Sequence, residues 1–208
     1  MISFKDFLVE EQKPKTLHAF DMDEVLFHHD NSKVKVHVKD KEGNHVKSLT
    51  NQEFNSHKLE PGHKYDFSEF RSSKVFKKSA HPIHKMINKL KAIHNNKQHV
   101  NIVTARGDMD NKQEFSKTLK KHGIDTHKVH VRRAGNLNAP SPGEAKHEVI
   151  SDLIKKHGYK KVHLYDDSED NLHHFLKLKH EHPNVELHAH HIEHNPDTGH
   201  VKTTTTVK

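Results

Sequence analysis

Three short apolar runs, each ending in residues able to carry chemistry, constrain this chain more than anything else in it. Leu17-His18-Ala19-Phe20 leads into Asp21-Met22-Asp23-Glu24, and Val100 to Val103 leads into Thr104-Ala105-Arg106-Gly107-Asp108. Val162 to Tyr165 leads into Asp166-Asp167-Ser168-Glu169-Asp170-Asn171. Helical patterns lie between and after them. Ile83, Met86, Ile87, Leu90 and Ile93 keep helical spacing behind Pro82, and Phe115 and Leu119 sit on a helix that stops at Gly123. Lys146, Val149, Ile150, Leu153 and Ile154 mark another, stopped near Gly158, and Leu172, Phe175, Leu176 and Leu178 a last one. Val129 and Val131 supply one further strand, ending in Arg132-Arg133, and Val185 to Ile192 the final one. Strands alternating with helices predict an α/β fold with a Rossmann-like parallel sheet. In such a sheet ligands collect beyond the carboxyl ends of the strands, where Asp21, Asp23, Thr104, Asp166 and Asp167 are predicted to stand.

Two carboxylates one residue apart repel unless a positive charge lies between them. A hard divalent cation such as Mg²⁺ is the usual solution, so Asp21 and Asp23 are candidate metal ligands. The alternative for Asp166 to Asn171 is a solvated turn whose Asp and Ser residues cap the next helix.

Composition narrows the classes. Hydrophobic residues are 31% of 208, Trp is absent and mean hydropathy is −1.00, so the core is small and the surface very polar. A formal charge of +7, with 26 histidines besides, favours polyanionic partners, nucleic acid included, and is equally compatible with a merely soluble surface. With no Cys, disulfides and thiolate zinc sites are excluded. No apolar run approaches the ~18 residues of a membrane span. Met1-Ile2-Ser3-Phe4-Lys5-Asp6 breaks the apolar core of a secretory signal, so the expected compartment is cytoplasmic.

The expected organisation is an N-terminal segment 1–14, a domain 15–192 with an insertion over about 28–82, and a flexible polar tail 193–208. Phe4, Phe7 and Leu8 share one face of a predicted short helix within residues 1–13. Val34, Val36 and Val38 alternate with polar residues and Val46 and Leu49 return after Lys41-Glu42-Gly43-Asn44, a β-hairpin over Lys33–Leu49. Residues 50–82 read as irregular, broken by Pro61-Gly62. There Tyr65, Phe67, Phe70 and Phe76 interleave with Arg71, Lys74, Lys77 and Lys78. Such rings and cations either stack and hold a nucleic acid or anchor the insertion to the domain. His188, His190, His191 and His194 are dense enough to bind Zn²⁺ or Ni²⁺, with His188 and His190 on one strand face. Histidine is spread along the whole chain, and compositional bias accounts for it as well.

In this order, Asp-x-Asp, a strand-end Thr, a Lys and a strand-end Asp-Asp resemble the haloacid dehalogenase superfamily of phosphotransferases, over roughly residues 15–192. The resemblance implies a Mg²⁺-dependent phosphatase acting on a phosphorylated small molecule, a nucleotide or a nucleic-acid end. Asp21 would be the nucleophile that carries an aspartyl-phosphate, and Asp23 the group that protonates the leaving oxygen and then activates water. Thr104 would hold the phosphoryl group, and Lys146 would neutralise charge, with Arg132, Arg133 and Lys128 as alternatives for that role. Arg106, Arg132 and Arg133 are candidate substrate-binding residues. Asp167, Asp166 and Asn171 would hold Mg²⁺ together with Asp21 and the backbone carbonyl of Asp23. The hairpin would be the family's flap, and residues 50–82 a small cap. Glu24-Val25 departs from the family's common Gly-Thr after the second Asp. Met1 to Glu10 separately resembles the leaders of internal head proteins of large tailed phages, with Leu8-Val9-Glu10 at their Leu/Ile-x-Glu cleavage pattern. That resemblance implies a phage-encoded protein of the host cytoplasm or the virion, and offers the alternative of a packaged or structural protein with little turnover.

Overall fold

The computed structural model describes residues 15–29 and 34–208; the predicted helix within 1–13 and the leader at 1–10 lie outside them. Eleven strands and seven helices follow in chain order among the described residues: β1 (Thr16–Phe20), β2 (Phe27–His29), β3 (Val36–Lys39), β4 (His45–Leu49), α1 (Asn51–Ser56), β5 (Lys64–Asp66), α2 (Ser68–Arg71), α3 (Ser73–Ser79), β6 (Ala80–Pro82), α4 (His84–Asn95), β7 (His99–Thr104), α5 (Lys112–Lys121), β8 (His130–Arg133), α6 (Pro142–His157), β9 (Lys161–Asp166), α7 (Glu169–Glu181), β10 (Glu186–His194) and β11 (Val201–Val207).

The main sheet has the order β11-β10-β9-β1-β7-β8, and every neighbouring pair is parallel except β10 and β11. Its two faces are both covered. Phe20, Tyr165 and Ile102 pack with Met86, Ile87 and Leu90 of α4 and Phe115 and Leu119 of α5. Leu17, Ala19, Leu164 and Leu187 pack on the opposite side with Ile150, Leu153 and Ile154 of α6 and Leu172, Phe175 and Leu178 of α7. Burial on both faces is why β1 reads as a nearly continuous apolar run instead of an alternating one. β1 lies between β9 and β7, so the chain leaves it to opposite sides and opens a crevice at the carboxyl end.

The helices that frame this crevice start where the sequence supplies caps. Ser141 accepts from the Glu144 amide with Pro142 in the first turn, Asn111 accepts from Glu114, and Ser168 accepts from Asn171. α6 ends on Gly158 at φ 67° and α5 is followed by Gly123 at φ 84°, the left-handed conformation that glycine adopts without strain.

Two expectations need correction. Residues 50–82 are not irregular: α1, α2, α3, β5 and β6 lie within them. β6 pairs antiparallel with β2, closing the base of the insertion, and β5 joins β3 and β4 in a three-stranded antiparallel sheet. Val36, Val38 and Leu49 form that sheet's own apolar cluster, with Phe54, Tyr65 and Phe70 against it. Nor is the tail without regular structure. Residues 201–207 pair with 188–194 as β11, and Val201 is 2% exposed in the main core. No helix among the described residues is long and apolar enough to cross a membrane.

Candidate active site

The chain turns sharply after β1. The amides of Leu26 and Phe27 both donate to the Met22 carbonyl, and the Glu24 amide donates to Phe27. Glu24 takes φ 57° to make this turn, an unusual conformation for a residue with a side chain. Met22, Val25 and Leu26 are fully buried, so Val25 serves as a core plug.

Asp21 is fixed at the end of β1 by its amide, which donates to the Tyr165 carbonyl of β9 at 2.8 Å. The two strand ends therefore meet, and their carboxylates share a cation. Lys146 Nζ, on α6, lies 2.9 Å from Asp21 Oδ1 and 2.7 Å from Asp166 Oδ2. Lys146 is 1% exposed. Burial works against its charge, but Asp166 and Asp21 more than offset that and hold its pKa above the usual lysine range. Of the basic candidates, Lys146 is the one the fold sets between these two carboxylates.

Asp166 is the most heavily hydrogen-bonded of the three carboxylates. Its Oδ1 accepts from the Ser168 amide at 3.1 Å and Asn171 Nδ2 at 2.9 Å, and its Oδ2 from Lys146. Asn171 therefore orients Asp166 through its amide nitrogen. Asp167 is less engaged, and its carbonyl accepts from His191 Nε2 at 3.0 Å. Donor oxygens of Asp21, Asp166 and Asp167 all lie within 4.8 Å of one another. Burial, together with repulsion from Asp166 and Asp23, pushes Asp21 up to about 7 despite Lys146. Burial and the charges of Asp166 and Asp21 likewise raise Asp167 well above the usual range. Three carboxylates with donor oxygens this close, against one ammonium, fit a hard divalent cation.

Asp23 sits in a different environment. Arg106 Nε lies 3.1 and 3.0 Å from its two oxygens, Nη2 lies 2.7 Å from Oδ1, and His29 Nε2 lies 2.8 Å from Oδ1. Burial would raise Asp23, but Arg106 and His29 outweigh it and hold its pKa well below the usual carboxylate range. Arg106 is itself buried, with Nη1 donating to the Phe70 carbonyl at 2.6 Å and the guanidinium 4.9 Å from the Phe70 ring centroid. This arginine, expected to bind substrate, is tied to Asp23 and to the insertion instead. His29 escaped sequence reading among so many histidines.

Thr104 is buried at the end of β7, and its Oγ1 accepts from the Arg106 amide at 3.1 Å. Gly135 passes directly over this turn, where an added Cβ would lie 2.0 Å from the Ala105 carbonyl oxygen. Arg132 and Arg133 are not brought to the carboxylates. Arg132 Nε donates to Asn101 Oδ1 at 3.1 Å, Arg133 Nη1 lies 3.6 Å from Asp108 Oδ1, and both line a cleft with Phe115 and Thr126 on the β8 side.

The remaining candidates separate. Of the aromatic residues, Phe76 is fully buried in the main core, Tyr65 and Phe70 pack on the insertion's cluster, and Phe67 contacts Phe54 and Tyr65. Phe76 thus joins the insertion to the main core, while the other rings build the insertion's own cluster. The four clustered histidines split as well: His188 and His190 face His163, His191 faces Asp167, and His194 faces His28.

No protein-family model matches the chain, and no curated protein matches it.

Proposed function

We propose that this chain is a Mg²⁺-dependent phosphohydrolase of the haloacid dehalogenase type, acting through an aspartyl-phosphate on Asp21. The observation that carries this reading is the Lys146 bridge between Asp21 and Asp166, with Asp167 beside them, at the carboxyl ends of β1 and β9. A phosphoryl group cannot approach a carboxylate nucleophile until its charge is offset, and this arrangement concentrates the means to do so.

Asp21 attacks phosphorus and displaces the leaving oxygen, and water then cleaves the acyl phosphate and regenerates the carboxylate. Asp21, Asp167 and Asp166 would hold Mg²⁺ with the Asp23 carbonyl, and the ion supplies positive charge against the phosphoryl oxygens. Lys146 favours the ionised form of Asp21 against its burial and holds the side chain in place. The Thr104 hydroxyl already accepts from the Arg106 amide, which leaves its proton to donate to a phosphoryl oxygen. In the clamped arrangement Asp23 is ionised, which favours taking a proton from the attacking water. Giving a proton to the leaving oxygen requires the Arg106 clamp to loosen.

The three-stranded sheet β4-β3-β5 with α1 to α3 takes the part of the flap and cap in this reading. Arg106 ties it to the reaction centre, since one guanidinium holds both Phe70 and Asp23. The substrate classes are phosphorylated small molecules, nucleotides and phosphate-ended oligonucleotides. The test is phosphate release from a panel of all three, with Mg²⁺ and with EDTA. Release from at least one class that requires Mg²⁺ is expected; release that is equal in EDTA, or none from any class, overturns the reading.

A further inference from the structure

Glu24, His28 and His194 come from three separate places: the turn after β1, strand β2 and the end of β10. Glu24 Oε2 lies 2.7 Å from His28 Nδ1, and the His28 and His194 ring centroids are 5.5 Å apart. One donor atom of each residue lies within 4.8 Å of those of the other two. The Glu24 carboxylate is held in place by the His29 amide, which donates to Oε1 at 3.2 Å. Nδ1 of His194 is buried and makes no hydrogen bond. A nitrogen removed from water without a partner is costly, and such exceptions call for an explanation.

We propose that Glu24, His28 and His194 form a binding site for a first-row transition-metal ion of the Zn²⁺ class, distinct from the Asp21–Asp166–Asp167 centre. Two imidazoles and one carboxylate are the donor set of zinc sites that keep a fourth position open. Imidazole nitrogen favours such ions, whereas Mg²⁺ prefers the all-oxygen set beside Lys146. Zn–N and Zn–O bonds of about 2.0–2.2 Å place tetrahedral donors about 3.3 Å apart, so rotation of these half-buried side chains closes the site. His28 Nδ1 exchanges its bond to Glu24 for one to the ion, and the unpartnered His194 nitrogen gains a ligand. The remaining positions take water or an oxygen donor.

A second cluster, His163, His188 and His190, also brings its donor atoms within 4.8 Å. It is already satisfied: His163 Nδ1 and His190 Nε2 bond each other at 2.9 Å, His190 Nδ1 bonds Thr205 at 2.8 Å, and His188 bonds Glu186. It therefore serves as the control.

The test is calorimetric titration of the full chain with Zn²⁺ in saturating Mg²⁺, repeated for His194→Gln, His28→Gln, Glu24→Gln and the control His163→Gln. The wild type and His163→Gln are expected to bind one tight ion, and each of the other three to lose at least about 10-fold in affinity. Co²⁺ in place of Zn²⁺ should give visible absorption bands that vanish in the same three. Unchanged affinity in both histidine variants, or loss of the tight ion in His163→Gln, overturns the site. Glu24→Gln keeps its shape and removes a charged donor, so it reads the site even where a histidine change loosens the end of β10. The measurement needs no hydrolysis, so its failure leaves the phosphohydrolase reading in place.

Discussion

Arg106 grips both carboxylate oxygens of Asp23, with Nε at 3.1 and 3.0 Å and Nη2 at 2.7 Å from Oδ1. The pair joins the loop after β7 to the turn after β1, and its consequences reach both stability and pH response. Arg106→Ala leaves a largely buried carboxylate with only His29, and breaking such a pair costs about 3–5 kcal/mol. Urea unfolding measures this; a loss below about 1 kcal/mol would show that the pair contributes no more than a surface bridge.

The same variant tests the charge state of Asp23. With Arg106 present the Asp23 pKa is depressed, so the stability it contributes is present above its ordinary pKa and fades as pH falls through the folded one. Without Arg106, burial dominates and the pKa rises. The acid limb of both stability and hydrolysis should therefore move to higher pH in Arg106→Ala, read from unfolding midpoints and rate profiles. A shift toward lower pH would contradict the assignment.

His18, His163 and His190 are held neutral on one face of the sheet. Burial lowers His18 and His190 to about 4 and His163 to about 3; His188 acts in the same direction on all three, and Lys89 on His18 and His190. Their ordinary pKa is about 6.5, so the unfolded chain takes up protons that the folded one refuses. Stability should be full above pH 6.5 and decline from about 6.5 toward 4. Thermal midpoints across that window should fall less steeply for His163→Phe, which keeps a ring in the stack; an equal slope would remove these histidines from the account.

Gly135→Ala should damage the turn that carries Thr104 and Arg106, because the new Cβ would meet backbone that cannot rotate away. The expected cost is about 1–3 kcal/mol with loss of hydrolysis. A variant of unchanged midpoint and rate would show that this approach is looser than described.

The parallel sheet was legible because buried strands need apolar runs and caps mark the helices, so β1, β7, β9, α5, α6 and α7 could be read directly. Asp21, Asp166 and Asp167 were legible from their places at strand ends, whereas Lys146, on a helix, was named only through the family resemblance. The Arg106–Asp23–His29 contact was not, since its partners are 83 and 77 residues apart and meet only through the fold. In the insertion the elements are three to seven residues long and form through tertiary contact; the Thr50-x-x-Glu53 capping box was the readable signal for α1. The tail reads as polar and low in complexity. Yet Thr203 to Thr206 are β-branched and follow the turn at Asn195–Gly199, which is strand chemistry once a sheet edge is available.

That edge can be tested. Val201→Asp places a charge in the core beside Ile192, and an unpaired buried polar group costs more than about 2 kcal/mol. A flexible tail would tolerate the change with no shift in the urea midpoint.

The most direct test of the central claim is the rate of Mg²⁺-dependent phosphate release by Asp21→Asn, assayed beside the wild type on the same substrate. The amide keeps the side chain's shape but cannot form the phosphoenzyme at a useful rate. The account predicts a folded variant with turnover reduced to background. Substantial Mg²⁺-dependent release by that folded variant would contradict it, because Asp21 could not then be the nucleophile.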